Sequence, residues 1–262
     1  MLQLIHVTKT FHPGSPDEKL ALNDVSLHVY PGDFISIIGA NGAGKSTLFN
    51  AVCGSFFIDR GCILLGDRDI TRVPEYKRAR IIGRLFQDPM RGTAPDMSIE
   101  ENLVLAAGQG GWMSTAGKKE KQAFRERLAL LDMGLEDRMK QPVGLLSGGQ
   151  RQALTLMMAT LSMPKLLLLD EHTAALDPGT AEKVLALTTR IVEENGLTCL
   201  MITHNMQSAL DLGNRTIMMD AGRIVFDAEG EARRGLTVED LLQKFREASG
   251  KKLDNDRMLL AN

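Results

Sequence analysis

The sequence predicts an α/β fold: a phosphate-binding (P-loop) parallel-sheet core, an antiparallel β subdomain and an inserted α-helical subdomain. Three observations predict it. Short apolar runs rich in β-formers alternate with segments of helical spacing, the pattern of a parallel sheet covered by helices. The run at 34–38 leads straight into a glycine-rich loop and then a helical stretch, at residues 39–47, GANGAGKST. Between about 88 and 160 the strand pattern gives way to helical spacing alone, and afterwards it resumes.

Taken in order, residues 2–8 and 21–30 predict strands around a polar turn at 12–19. Val25, Leu27 and Val29 alternate with polar residues, as in a half-exposed antiparallel strand. The β-branched run 34–38 reads as a buried parallel strand, followed by the glycine loop and a helix over 45–53. Further short strands are expected at 63–65 and 81–86. Helices are expected at 98–107, 118–133 and 148–162, the first capped by Ser98 with Glu101 three residues on. A small-residue loop, 108–117, surrounds Trp112. A strand at 166–169, a helix at 180–195 and a strand at 198–202 restore the α/β alternation. A short helix at 208–212, a hairpin of 216–220 and 223–227 across Ala221-Gly222, and a helix at 237–248 close the fold. The reading is therefore one domain over 1–250, with core segments 1–87 and 161–250, helical subdomain 88–160, and a polar tail at 251–262.

Composition bounds the function. A chain of 262 residues, 44% hydrophobic, buries a real core. Its net charge of -2 leaves no basic footprint, which argues against nucleic acid as an obligatory partner. Cys53, Cys62 and Cys199 form no C-x-x-C pair and fit no closed disulfide framework, so a reduced, cytosolic compartment is expected. The start lacks a signal-peptide pattern, and no apolar run approaches the roughly 18–20 residues of a spanning helix. A membrane role would have to come through a partner.

Two motifs carry chemistry by themselves. In the P-loop, Gly39, Asn41, Gly42, Ala43 and Gly44 let backbone N–H groups converge on phosphate oxygens. Lys45 can reach the β- and γ-phosphates of a nucleotide, Ser46 can offer its hydroxyl oxygen to Mg²⁺, and Thr47 continues the motif into the helix. The apolar run 166–169 ends in Asp170 and Glu171, carboxylates delivered to the edge of the sheet where α/β proteins bind ligands. Asp170 suits the Mg²⁺ shell, and Glu171 suits a general base for an attacking water.

The segment Leu146, Ser147, Gly148, Gly149, Gln150 resembles the signature motif of the ABC ATPase family, and the resemblance extends over about residues 2–248. Ser147 is also a good helix cap, and the two roles are compatible. The resemblance implies the ABC ATPase fold, with ATP and Mg²⁺ as ligands. It matches Gln87 to the Q-loop glutamine, which senses Mg²⁺ and the attacking water, Ala175-Leu176-Asp177 to the D-loop, His204 to the switch histidine at the γ-phosphate, and Phe11 to an aromatic stacked on adenine. It further implies a second copy packed head to tail, with each ATP between Lys45 of one chain and Ser147–Gln150 of the other. An integral membrane permease would seat a short coupling helix beside the Q-loop, where Met90, Arg91 and Met97 could supply contacts. The chain is expected at the cytoplasmic face of the membrane, as motor of an importer of amino acids or similar solutes. It is most similar to a group paired with lipoprotein receptors for tryptophan or tyrosine. The second reading is a soluble scaffold such as an iron–sulfur assembly ATPase. One departure stands out: where the family commonly has Pro after the glutamate, this chain has His172, read as a loop substitution without catalytic role.

Overall fold

The computed structural model describes residues 1–108 and 117–249. β1 (Leu2–Phe11) pairs antiparallel with β2 (Lys19–Val29). β1 outlasts its expected end at residue 8, because Lys9, Thr10 and Phe11 remain laddered to Leu22, Leu20 and Lys19. Pairing with a neighbour, invisible in a single sequence, extends the strand. β3 (Phe34–Ile38) is buried along its whole length and delivers the glycine loop. α1 (Lys45–Cys53) then runs between Gly44 and Gly54, both left-handed at φ 103° and 83°. β4 (Arg60–Leu65) returns to β1, and β5 (Arg68–Asp69) completes an antiparallel sheet in the order β2-β1-β4-β5. The short α2 (Glu75–Arg78) ends in buried Arg78, which donates to the carbonyls of Ala51, Val52, Thr71 and Val73. It thereby ties the C-terminus of α1 to the β subdomain.

β6 (Ile82–Leu85) is followed by a helical insertion of α3 (Ile99–Ala107), α4 (Lys118–Ala129) and α5 (Gly148–Thr160). Ser98 caps α3 with Glu101 in the expected box. α4 stops four residues before the expected 133, in a turn that puts Asp132 at φ 53°. Residues 109–116 of the loop expected around Trp112, and the tail at 251–262, lie outside the described residues. β7 (Leu166–Asp170) is wholly buried. Four leucines carry no strong strand preference of their own; parallel pairing to β6 on one side and β8 on the other makes them a strand. α6 (Pro178–Glu194), β8 (Thr198–Ile202), α7 (Met206–Asp211), β9 (Arg215–Asp220), β10 (Arg223–Glu229), α8 (Gly230–Arg233) and α9 (Val238–Ser249) complete the chain.

The second sheet runs β10-β9-β3-β8-β7-β6, parallel except for β10. Its parallel strands point the same way, so whatever follows their C-terminal ends gathers on one edge. The loop at 39–44 follows β3, His204 follows β8, Glu171 follows β7 and Gln87 follows β6. The helical insertion joins the core through buried Leu103, Phe124, Leu128 and Leu154, which share one apolar cluster with Leu167 and Leu169. Among the described residues no helix is long and apolar enough to cross a membrane.

Candidate functional site

The loop after β3 is wedged into its place. A Cβ on Gly39 (φ 149°) would lie 2.2 Å from the Met219 carbonyl oxygen, and one on Gly44 would lie 2.7 Å from that of Ala21. Only glycine fits between these backbones. Asn41, Gly42 and Ser46 are exposed; Ala43, Gly44 and Lys45 are buried; and Thr47 is half-buried. Lys45 Nζ donates to the carbonyls of Gly39 (2.7 Å) and Ala40 (3.1 Å). Burial lowers the pKa of this ammonium, and the charges of Glu171 and Asp170 oppose that shift. The lysine is thus held across its own loop, facing two carboxylates.

Ser46 Oγ donates to Asp170 Oδ1 at 3.4 Å, joining α1 to β7. Burial raises the Asp170 pKa, while the Arg84 guanidinium, 3.6 Å from Oδ2, pulls it down. Glu171 leaves the strand in a left-handed conformation (φ 47°), rare for a non-glycine residue and a sign of a site that over-determines its backbone. Its N–H still donates to Ile202 O at 3.1 Å, and its Oε1 lies 2.6 Å from His204 Nε2. A carboxylate at the end of one strand and an imidazole after the next are therefore in direct contact. A carboxylate so placed can take a proton from water, and the imidazole can orient it.

His172 lies in the turn after Glu171 and is buried there. It is 2% exposed, its Nε2 lies 3.1 Å from Thr188 Oγ1 on α6, and burial lowers its pKa to about 4. The chain turns inward after Glu171, so a polar ring takes a core position and finds a hydroxyl partner there.

The remaining expected residues lie elsewhere. Gln87 is exposed just past β6. Ser147 caps α5: its Oγ accepts from Gln150 N–H at 3.3 Å, and Gln150 Oε1 accepts from Ser147 N–H at 3.2 Å. A Cβ on Gly149 would lie 2.1 Å from Thr180 Cγ2, and one on Gly148 3.3 Å from Leu176 Cδ2, so this turn packs against the start of α6. Asp177 caps that helix, accepting from Thr180 N–H at 3.0 Å. The contacts of Ser147–Gln150 thus run to α6 and Met133, whereas those of the glycine loop run to β2, β9 and Asp170. Phe11, at the tip of β1, stands edge-on to Phe56 at 5.2 Å with Lys9 Nζ above both rings. Its ladder partner Lys19 brings Nζ to 3.8 Å from the point a Gly42 Cβ would occupy, so this hairpin borders the glycine loop.

Sequence reasoning missed Arg84. It sits inside β6, read only as a short strand, and a charge within a parallel strand was the available signal. Beside Gln87, between β6 and the helical insertion, lies a groove of about 560 Å³ lined by Phe86, Arg91, Leu105, Thr155 and Met158; of the three residues expected at such a surface, Arg91 lines it and Met90 and Met97 do not.

Residues 22–174 match the family model described as ABC transporter. The chain is 42% identical over 247 residues to a tyrosine transport ATP-binding protein of Clostridioides difficile, covering 94% of this chain and 98% of that protein. It is 38% identical over 224 residues to the methionine import ATP-binding protein MetN of Corynebacterium efficiens, covering 84% of this chain but only 60% of that protein. Among solved structures it is similar to the ATP-binding cassette MJ0796, a dimer in a post-hydrolysis state bound to ADP and Pi. There the TM-score is 0.76 and the identity 28%, over 90% of this chain and 100% of that one.

Proposed function

The chain belongs to the ABC transporter family, and on that premise we propose how its residues work as the ATP-binding, ATP-hydrolysing motor of an uptake system. The observation that carries the reading is the convergence of Lys45, Ser46, Asp170, Glu171 and His204 on one sheet edge. Lys45 exchanges the carbonyls of its own loop for nucleotide phosphates, the stronger, charge-assisted partners. Glu171 takes the proton of the attacking water, and His204 holds Glu171 and meets the γ-phosphate. Gln87 reaches the same edge from β6. Phe11 supports adenine by stacking, which reads no base edge and so discriminates weakly between ATP and GTP.

Mg²⁺ fits the donors present. Ser46 and Asp170 offer two hard oxygens, and among the described residues no group of three or more His, Cys, Asp or Glu side chains could cage a metal alone. That matches an ion that leans on substrate phosphates and water. When bound, it would neutralise charge on the phosphates.

The exposed Ser147 end of α5 serves a second copy, so that each ATP is sandwiched between Lys45 of one chain and Ser147, Gly148, Gly149 and Gln150 of its partner. The helical insertion, about 88–160, acts as one unit on the core. The groove beside Phe86 and Arg91 receives a permease segment, and the protein works at the cytoplasmic face of the membrane. Relatives named for tyrosine and methionine support an amino acid or similar small solute as cargo, which this subunit does not touch. Purification of the tagged chain from membranes tests the reading: an integral permease should co-purify. Recovery of soluble assembly proteins alone would transfer the chain to the scaffold class.

A further inference from the structure

We propose that Arg84 is a positioning residue that ties the groove beside β6 to Asp170, so that the state of the groove sets how tightly the site holds its divalent cation. The proposal rests on the reading of Asp170 as the metal carboxylate.

The argument starts from the cost of the residue. A guanidinium inside a buried parallel strand loses hydration and needs compensation. Arg84, with a side chain 12% exposed, is only partly compensated. Its Nη2 lies 3.6 Å from Asp170 Oδ2, close enough for charge attraction but beyond a hydrogen bond. Its Nε is buried with no hydrogen-bond partner among the described residues. The Cys53 thiol lies beside it, and a ring adds support: the guanidinium carbon is 4.6 Å from the Phe86 centroid. Arg91, exposed on the far side of the Q-loop turn, places its own guanidinium 5.2 Å from the same centroid. Arg84, Phe86 and Arg91 all line the groove. One π system is therefore shared by two cations, one reaching the carboxylate and the other reaching solvent.

The two oxygens of Asp170 are divided. Oδ1 faces Ser46 Oγ at 3.4 Å, and Oδ2 faces Arg84. Arg84 keeps the desolvated carboxylate charged, and at the same time it competes for that charge with any second cation. Drawing Arg84 towards Phe86 frees Oδ2; pressing it towards Asp170 weakens the metal. A permease segment that takes up Arg91 leaves the ring to Arg84 and so favours the first state. Arg84 thereby links groove and metal through two contacts, with no movement of the strand required.

Mn²⁺ binding, read by electron paramagnetic resonance with a non-hydrolysable ATP analogue present, tests this without turnover. Arg84→Met should tighten Mn²⁺ by about fivefold, the low end of ordinary coupling between sites. Arg91→Ala should tighten it by about twofold in the parent and not at all beside Arg84→Met, the mark of a coupled pair. Arg84→Lys keeps the charge but not the planar stack, so its Mn²⁺ affinity should stay near the parent's while the response to Arg91→Ala disappears. Thermal unfolding reports whether each variant folds, and the lysine variant carries the test if the methionine variant does not. Unchanged or weaker Mn²⁺ binding by folded Arg84→Met, or an Arg91→Ala effect that persists in either Arg84 variant, would overturn the proposal. Asp170→Asn is the separate control: parental Mn²⁺ affinity there would remove the metal assignment itself.

Discussion

The N-termini of α1 and α5 are made of similar residues and left in opposite states. α1 begins at a left-handed Gly44 with no side-chain cap, and buried Lys45 lies across the loop before it. α5 begins at exposed Ser147, whose hydroxyl and partner Gln150 close a reciprocal capping box. Both ends carry the partial positive charge of a helix start. At α1 the first amides have no side chain of their own helix to satisfy them, so an anion can take that place. At α5 the Ser147 hydroxyl already accepts from the Gln150 amide, so that hydroxyl can serve a ligand only by exchange, and Gly148 beside it is exposed. In the proposed reading, the difference suits α1 to a resident phosphate and α5 to a phosphate presented from outside.

The largest expected effect falls on the chemistry between those ends. Glu171→Gln should lower ATP turnover by roughly 10²–10⁴-fold, about 3–5.5 kcal/mol in barrier, while ATP binding persists. With ATP and Mg²⁺ present it should elute as a dimer. Near-parental turnover would remove Glu171 from the base role and leave the comparison without a reaction to serve.

Mixing variants breaks or sharpens the comparison directly. Lys45→Ala disables the α1 end and Ser147→Arg disables the α5 end. In a mixed dimer both defects fall at one composite site, and the other site keeps an intact Lys45 and Ser147. The mixture should hold ATP sandwiched between two chains, which neither variant does alone. Mixed dimers that form and still retain none would mean the two ends do not share a nucleotide.

A third effect concerns the strut between the ends. His172 follows Glu171 and contacts Thr188 on α6, the helix whose Thr180 packs on Gly149. Its folded pKa, about 4, lies below its ordinary 6.5. Between those values the unfolded chain holds the proton more tightly, so stability is full above pH 6.5 and falls as pH drops towards 4. From pH 7 to pH 5 the loss is about 2 kcal/mol. Urea midpoints at both values should show this loss in the parent and a smaller one in His172→Gln. Equal losses would show that the ring does not carry it. The smallest effect is Ser147→Ala, which should cost about 1 kcal/mol of stability in the free chain through loss of the cap. No measurable cost would show that the box at α5 contributes nothing to the fold.

Much of this was legible in residue order. The glycine spacing at 39–44, the lysine after it and the acidic pair ending a leucine run were legible as a loop, a helix start and a strand end, and the structure gathers them at one sheet edge. The capping box at Ser98 was legible locally as well. The burial of His172 could not be read from residue order, because whether a residue after a strand faces water or core depends on a turn of the backbone at Glu171. Arg84 was passed over, because its meaning lies in Asp170 and Phe86, which contact it only once β6 and β7 pair.

By itself, then, the sequence determined the local devices: the loop that excludes side chains, the capped helices, and the buried strands that end in functional groups. These follow from conformational preference and spacing within a few residues. Tertiary structure alone decided which devices meet. Parallel pairing of β3, β8, β7 and β6 brought residues from 45 to 204 to one edge and set His204 2.6 Å from Glu171. It also left Ser147–Gln150 on another face, packed on α6. The physical reason is that pairing between distant strands is set by the burial of whole faces, a property of the assembled core rather than of any segment.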